Sequence, residues 1–183
     1  SIEEHDIEEN IYVHVRKTGY AWAFPLGEGR WHIGAGDLSY ERAEELIQKL
    51  RQEYGFEENS ICKCKSGIRL LPPSACKPFL AKDVCGVGEA IGCVSGAGEG
   101  NVPSLRSAEI LYECLVNDEL EDYESRILEE FRWIEVEHAF VNAVQRGRKL
   151  AALLRLPKVV AIESKRSVEQ SVLDLLKLVR ALR

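Results

Sequence analysis

Residues 11 to 36 constrain the fold more than any other part of the chain. IYVHVR at 11–16 alternates and is rich in β-branched residues, as a strand requires. Thr18-Gly19 marks a turn. Residues 20–24 read as a second strand, Gly27-Glu28-Gly29 as a second turn, and residues 30–34 as a third strand. Short turns between alternating runs make an antiparallel meander of at least three strands. Tyr20, Trp22 and Phe24 occupy alternate positions, so they project from one face.

A helix is expected next. Ser39 caps it, Ala43, Leu46, Ile47 and Leu50 follow at helical spacing, and Gly55 stops it. Residues 61–70 read as extended, Pro72-Pro73 breaks the chain, and a loop runs to about Asp83. A short apolar strand is expected at 84–88. A glycine-rich loop at 92–100 leads into a helix at about 103–116, with Pro103 in its first turn. From Leu120 to Leu156 the pattern is helical, Gly147 is a break or kink, and Pro157 ends the run. A last helix is expected over about 167–182, with Val168, Val172, Leu175, Leu176, Val179 and Leu182 as one apolar stripe. Strands and one helix come first and helices last. The expected fold is therefore α+β, an antiparallel sheet with helices packed on one side and a helical C-terminal region. Three segments follow from this order. They are a sheet with one inserted helix at 1–83, a strand, glycine loop and helix at 84–117, and a helical region at 118–183.

Composition narrows the class. Apolar residues make up 45% of the 183, enough for a packed core. The net charge of −6 comes with basic residues that are spread out, locally denser only in the last third. No basic face for nucleic acid shows. No apolar run approaches the ~20 residues of a membrane span, and no targeting segment opens the chain. A cytoplasmic location is expected, free or resting on a membrane surface. The absence of Met, with abundant Glu, Lys and Arg, leans towards a thermophile. Cysteines stand at 62, 64, 76, 85, 93 and 114 without a CxxC pair, so no metal site is expected. They read as small buried hydrophobes, with a structural disulfide as the alternative.

A second stretch, VCGVGEAIGCVSGAGEGNVPSLRSAEIL at 84–111, carries chemistry. A buried strand ends at Gly88 and Glu89 follows at once. Gly92, Gly96, Gly98 and Gly100 then feed a helix start. Small residues admit close backbone approach, and a helix start offers free N–H groups and partial positive charge. An electron-rich ligand edge suits that place, and an acid at a strand end accepts hydrogen bonds from ligand hydroxyls. A sharp turn with glycines for packing alone is the competing reading. No GxGxxG fingerprint and no P-loop lysine occurs.

Together the two stretches resemble the geranylgeranyl reductase family of FAD-dependent flavoproteins, which includes archaeal digeranylgeranylglycerophospholipid reductases. The family pattern YxWxFP, eight residues, then GxG is matched by Tyr20, Trp22, Phe24, Pro25, Gly34 and Gly36. Its GEAAG and TGEGI pattern is approximated by Gly88-Glu89-Ala90-Ile91-Gly92 and Ala97-Gly98-Glu99-Gly100-Asn101. The resemblance covers about residues 10–130. It implies that Gly88, Glu89, Gly98, Glu99, Gly100 and Asn101 face FAD. Glu89 would meet the ribityl chain or phosphates, and the Gly98–Asn101 backbone the pyrimidine edge. It implies too that Tyr20, Trp22, Phe24, Pro25, Gly34 and Gly36 line an apolar slot for a prenyl lipid or other apolar substrate, with Gly34 and Gly36 leaving room for close approach. The sequence identifies no catalytic side chain.

The family's opening Rossmann-type βαβ unit is lacking. The chain is therefore expected to be a fragment of a longer flavoprotein, or to pair with a separate nucleotide-binding domain, and to hold FAD only weakly by itself. Peripheral membrane contact belongs to the same expectation. The alternatives are a non-catalytic lipid- or partner-binding module derived from such a flavoprotein, and an FAD-dependent oxidoreductase with a non-lipid substrate.

Overall fold

The computed structural model describes residues 2–57 and 64–166. These fall into two compact units, one running through Ser66 and the other starting at Gly67.

The first unit is a four-stranded antiparallel sheet with one helix on it. Strands β1 (Ile2–Glu4), β2 (Tyr12–Val15), β3 (Tyr20–Gly27) and β4 (Arg30–Gly36) stand in the order β1-β4-β3-β2. The β3–β4 hairpin turns at Glu28 and Gly29, both at positive φ (56° and 71°), the hand that tight hairpins favour. Pro25 sits where the register shifts between Pro25 and Gly27, and β2 pairs no further than Ala23. Its missing N–H therefore breaks no ladder bond on that side.

Helix α1 (Tyr40–Tyr54) starts where Ser39 accepts the Arg42 N–H at 3.4 Å and ends at left-handed Gly55, whose N–H returns to the Arg51 carbonyl. Leu46 and Leu50 pack on Ala21, Ala23, Trp31 and Ile33, all fully buried. Burial of each leucine stabilises by roughly 1.5–3 kcal/mol. The same interface encloses an ion pair between Arg51 of α1 and Glu3 of β1.

The second unit is mainly helical. A two-strand hairpin, β5 (Leu80–Ala81) and β6 (Val84–Cys85), precedes α2 (Asn101–Val116), α3 (Tyr123–Glu130), α4 (Arg132–Gln145) and α5 (Lys149–Arg166). Its core holds Phe79, Ile91, Ile110, Tyr123, Ile127, Phe131 and Ile134 together with Cys76, Cys93 and Cys114. Those three cysteines serve as small apolar residues, and the five described cysteines are all free thiols. Among the described residues no group of His, Cys, Asp and Glu is placed to hold a metal. None of the described helices is long and apolar enough to cross a membrane.

The fold class is α+β, as the pattern implied. Several details differ. Strand β1 has no counterpart in the pattern; three residues are too short to show alternation, and β4 supplies the pairing that makes them a strand. The strand expected at 84–88 stops at Cys85, and Gly88–Ile91 forms a 3₁₀ turn between left-handed Gly88 and Gly92. Residues 64–70 are not in a strand. Gly147, at φ 69°, does separate α4 from α5. Pro157, however, lies inside α5 instead of ending it. It stands on the exposed side, as does Leu153, so the Leu153 carbonyl that loses its N–H partner belongs to the wet side of the helix. Cys62 and the helix expected at 167–182 lie outside the described residues.

Candidate functional site

The six substrate-side residues belong to the first unit and the six cofactor-side residues to the second.

In the first unit, alternation separates two faces of the sheet. Ala21, Ala23, Trp31 and Ile33 turn towards α1. Tyr20, Trp22 and Phe24 turn the other way and form a continuous row. The Tyr20 and Trp22 rings are 5.4 Å apart, and the Trp22 and Phe24 rings are stacked at 6.0 Å. Gly34 lies opposite Trp22 and Gly36 opposite Tyr20. A methyl group on Gly34 would stand 2.3 Å from Cζ2 of Trp22, so the bare backbone there makes room for the indole. Gly36 faces open space. The indole N–H donates to His32 Nδ1 at 3.2 Å, and partial burial holds the His32 pKa below its ordinary value. Burial also raises the Tyr20 phenol. Pro25 pairs with Trp31 and so stands apart from the row. The result is an apolar ridge with one polar interior pair, and Phe24 and Val13 at its exposed side.

In the second unit the glycine loop is held from within. The Gly88 N–H donates to Ser107 Oγ at 2.8 Å, and that hydroxyl donates to the Ser104 carbonyl at 2.7 Å. A side chain on Gly88 would strike Ser104, and one on Gly92 would strike the Leu71–Pro73 backbone at 2.7 Å. The Glu89 carboxylate accepts the Arg69 N–H at 2.7 Å. Ser95 Oγ accepts two amides, Ala97 at 3.2 Å and Glu99 at 3.0 Å, and the Ser95 carbonyl accepts Gly98 at 3.0 Å. The Gly96 N–H donates to the buried carboxylate of Glu137 at 3.1 Å. Beside it, His138 Nε2 lies 2.9 Å from the Val94 carbonyl. Four consecutive amides, 96 to 99, are thus engaged by the protein itself.

Among the described residues, the first turn of α2 is left uncapped. The Asn101 and Val102 N–H groups have no carbonyl one turn back to receive them, no side chain caps this end, and Pro103 brings no N–H. That turn suits an electron-rich edge. Gly98, at φ 92°, and Gly100 lead into it. Glu89 accepts the Arg69 N–H through one of its two carboxylate oxygens.

Ser95, Ser107, Glu137 and His138 shape this loop although no sequence motif marks them. Glu137 left one trace in the sequence. It shares the helical stripe of Ile134 and Val141, and an acid on an apolar stripe needs a partner in the interior.

No family model matches the chain. Over 145 residues it is 28% identical to an uncharacterised protein of Methanocaldococcus jannaschii, covering 73% of this chain and 40% of that one. Over 157 residues it is 27% identical to the menaquinone reductase of Mycolicibacterium smegmatis, covering 79% of this chain and 36% of that one. The chain is similar to reductases. Among solved structures it resembles a geranylgeranyl bacteriochlorophyll reductase-like protein from Thermoplasma acidophilum, with a TM-score of 0.59 and 14% identity. The match covers 87% of this chain and 49% of that one, and at this identity the likeness is one of fold. The chain therefore spans less than half the length of each of these relatives.

Proposed function

We propose that the chain is the substrate-binding and C-terminal half of an FAD-dependent oxidoreductase that reduces an isoprenoid-bearing, lipid-soluble substrate. The observation that carries this reading is the alignment with menaquinone reductase over 79% of the chain, and the fold likeness agrees with it. The Tyr20, Trp22 and Phe24 row offers an apolar wall of the kind a prenyl chain packs on. The open first turn of α2, at Asn101 and Val102, fits the electron-rich edge of a flavin ring, where a helix start stabilises negative charge. Glu89 fits a ribityl hydroxyl with its second carboxylate oxygen. When bound, the flavin would supply the hydride. The chain's own task is to hold the loop still, through Ser95 and Glu137, and to present the substrate wall. By itself the chain is expected to hold FAD weakly, because it carries no GxGxxG unit for the adenine half.

A second reading is favoured by one observation. Amides 96 to 99 are already satisfied internally, as they would be in a lipid- or partner-binding module that has given up flavin. One experiment separates the two. The complete gene product is purified and its visible spectrum recorded, and anaerobic turnover is then measured with menaquinone and with geranylgeranyl lipids. Flavin absorbance with consumption of reduced flavin by one of these lipids supports the reductase. A colourless protein that binds the lipids without adding FAD to its fold overturns it in favour of the module.

A further inference from the structure

Helix α5 presents an apolar face that nothing in the described structure covers. Leu150, Leu153 and Leu154 are 73%, 56% and 72% exposed. They follow the i, i+3, i+4 spacing of one helical face, which continues through Pro157 and Ala161, both exposed. The opposite face is buried through Ala152 and Val159. Three exposed leucines on adjacent turns are unusual for a surface helix, whose outer face is normally polar.

The charges around this face are of one sign. Lys149, Lys158 and Lys165 flank it, all exposed, with Arg155 further round. From Arg146 to Lys165 the chain carries six basic residues and one acid, Glu163, although its overall net charge is −6. Two copies meeting through this face would bring two such cationic rims together, which opposes self-association. Leucines flanked on both sides by lysines are what an anionic lipid interface accommodates, with the apolar side chains at the acyl boundary and the ammonium groups among the headgroups.

We propose that α5 is a docking helix for an anionic membrane surface, with Leu150, Leu153 and Leu154 inserting and Lys149, Lys158 and Lys165 meeting lipid headgroups. The proposal stands on α5 alone and does not require a flavin or a prenyl substrate. It is tested by co-sedimentation of the chain with phosphatidylcholine vesicles, with and without phosphatidylglycerol, at low and high salt. Wild type is expected to bind the anionic vesicles at least about tenfold more tightly than the neutral ones, and less tightly as salt rises. Lys149→Gln with Lys158→Gln lowers anionic binding about thirtyfold, at roughly 1 kcal/mol per cation. Leu150→Ser with Leu154→Ser lowers it at least about tenfold, with the circular dichroism and melting temperature unchanged. Equal binding to both vesicle types, or none to either, overturns the proposal. So does a Leu154→Asp variant that dissociates a dimer in sedimentation velocity, or that melts several degrees lower as a core residue would. Those results assign the face to a second copy or to another segment of this chain.

Discussion

Gly34 and Gly36 lie two residues apart on the same strand and the same face of the sheet, yet they should respond to the same substitution in opposite ways. In Gly34→Ala the new methyl group would meet Trp22 at 2.3, 2.6 and 3.0 Å. The indole must swing out by about 1 Å or more to restore ordinary contact. That breaks its 3.2 Å hydrogen bond to His32, worth about 1 kcal/mol. It also misaligns the ring with Tyr20 and Phe24, at about 0.5–1.5 kcal/mol per pair. Stiffening of the unfolded chain returns about 0.4–1 kcal/mol, which leaves a net loss of about 2 kcal/mol. In Gly36→Ala the methyl group meets nothing within 4 Å, so only the gain from stiffening remains. Urea unfolding followed by tryptophan emission measures both, in a Trp133→Phe background so that the signal comes from the sheet. Gly34→Ala should lower the midpoint by about 1 M at unchanged slope and shift the native emission. Gly36→Ala should match or slightly exceed wild type. Equal effects of the two, or an unperturbed emission in Gly34→Ala, would refute the account of Gly34 as the seat of the indole.

Three further outcomes follow from the same structure. Glu137→Ala leaves the Gly96 N–H without its acceptor and should cost about 1–3 kcal/mol, with faster amide exchange confined to residues 94–99; Glu137→Gln, which keeps an acceptor oxygen, should restore most of the protection. Burial pushes the Cys93 thiol up to about 12 from an ordinary 9.0. The unfolded chain therefore releases this proton first, and stability present below pH 9 should fall as pH rises towards 12, by up to about 1.4 kcal/mol per pH unit. The buried Tyr123 phenol, also raised, acts in the same direction. Urea midpoints from pH 8 to 11 in wild type and Cys93→Ala test this, and equal slopes would contradict it. Glu3→Ala strands the Arg51 guanidinium in the interface beneath α1 and should cost about 3–5 kcal/mol in the same urea assay. Glu3→Ala with Arg51→Met should recover part of that loss.

Much of the fold was legible because the deciding information was local. Alternation within 11–16, 20–24 and 30–34 fixed the faces of β2, β3 and β4. Ser39 and Gly55 bracketed α1 by chemistry that acts within one turn, and Gly147 broke the last helical run for the same reason. What was not legible depends on partners distant in the chain. Strand β1 exists because β4 offers an edge. Pro157 continues a helix because its side faces water, which three-dimensional packing decides. The row of Tyr20, Trp22 and Phe24 was visible, but the purpose of Gly34 was not, since the group that fills its space is a neighbour across the strand. In the loop the glycines announced themselves. Their fastening did not, because Ser95 closes it through a fold-back and Glu137 reaches it from a helix some forty residues later.

The buried carboxylate of Glu3 also works as a key. Were β1 to slide along β4 by a single step, Ile2 or Glu4 would take its place beneath α1, and the guanidinium there would face a hydrocarbon or a mispositioned acid. Only one alignment of that outer strand completes the interior electrically, so the short strand, too small to choose its own seat by greasy contact, is seated by charge.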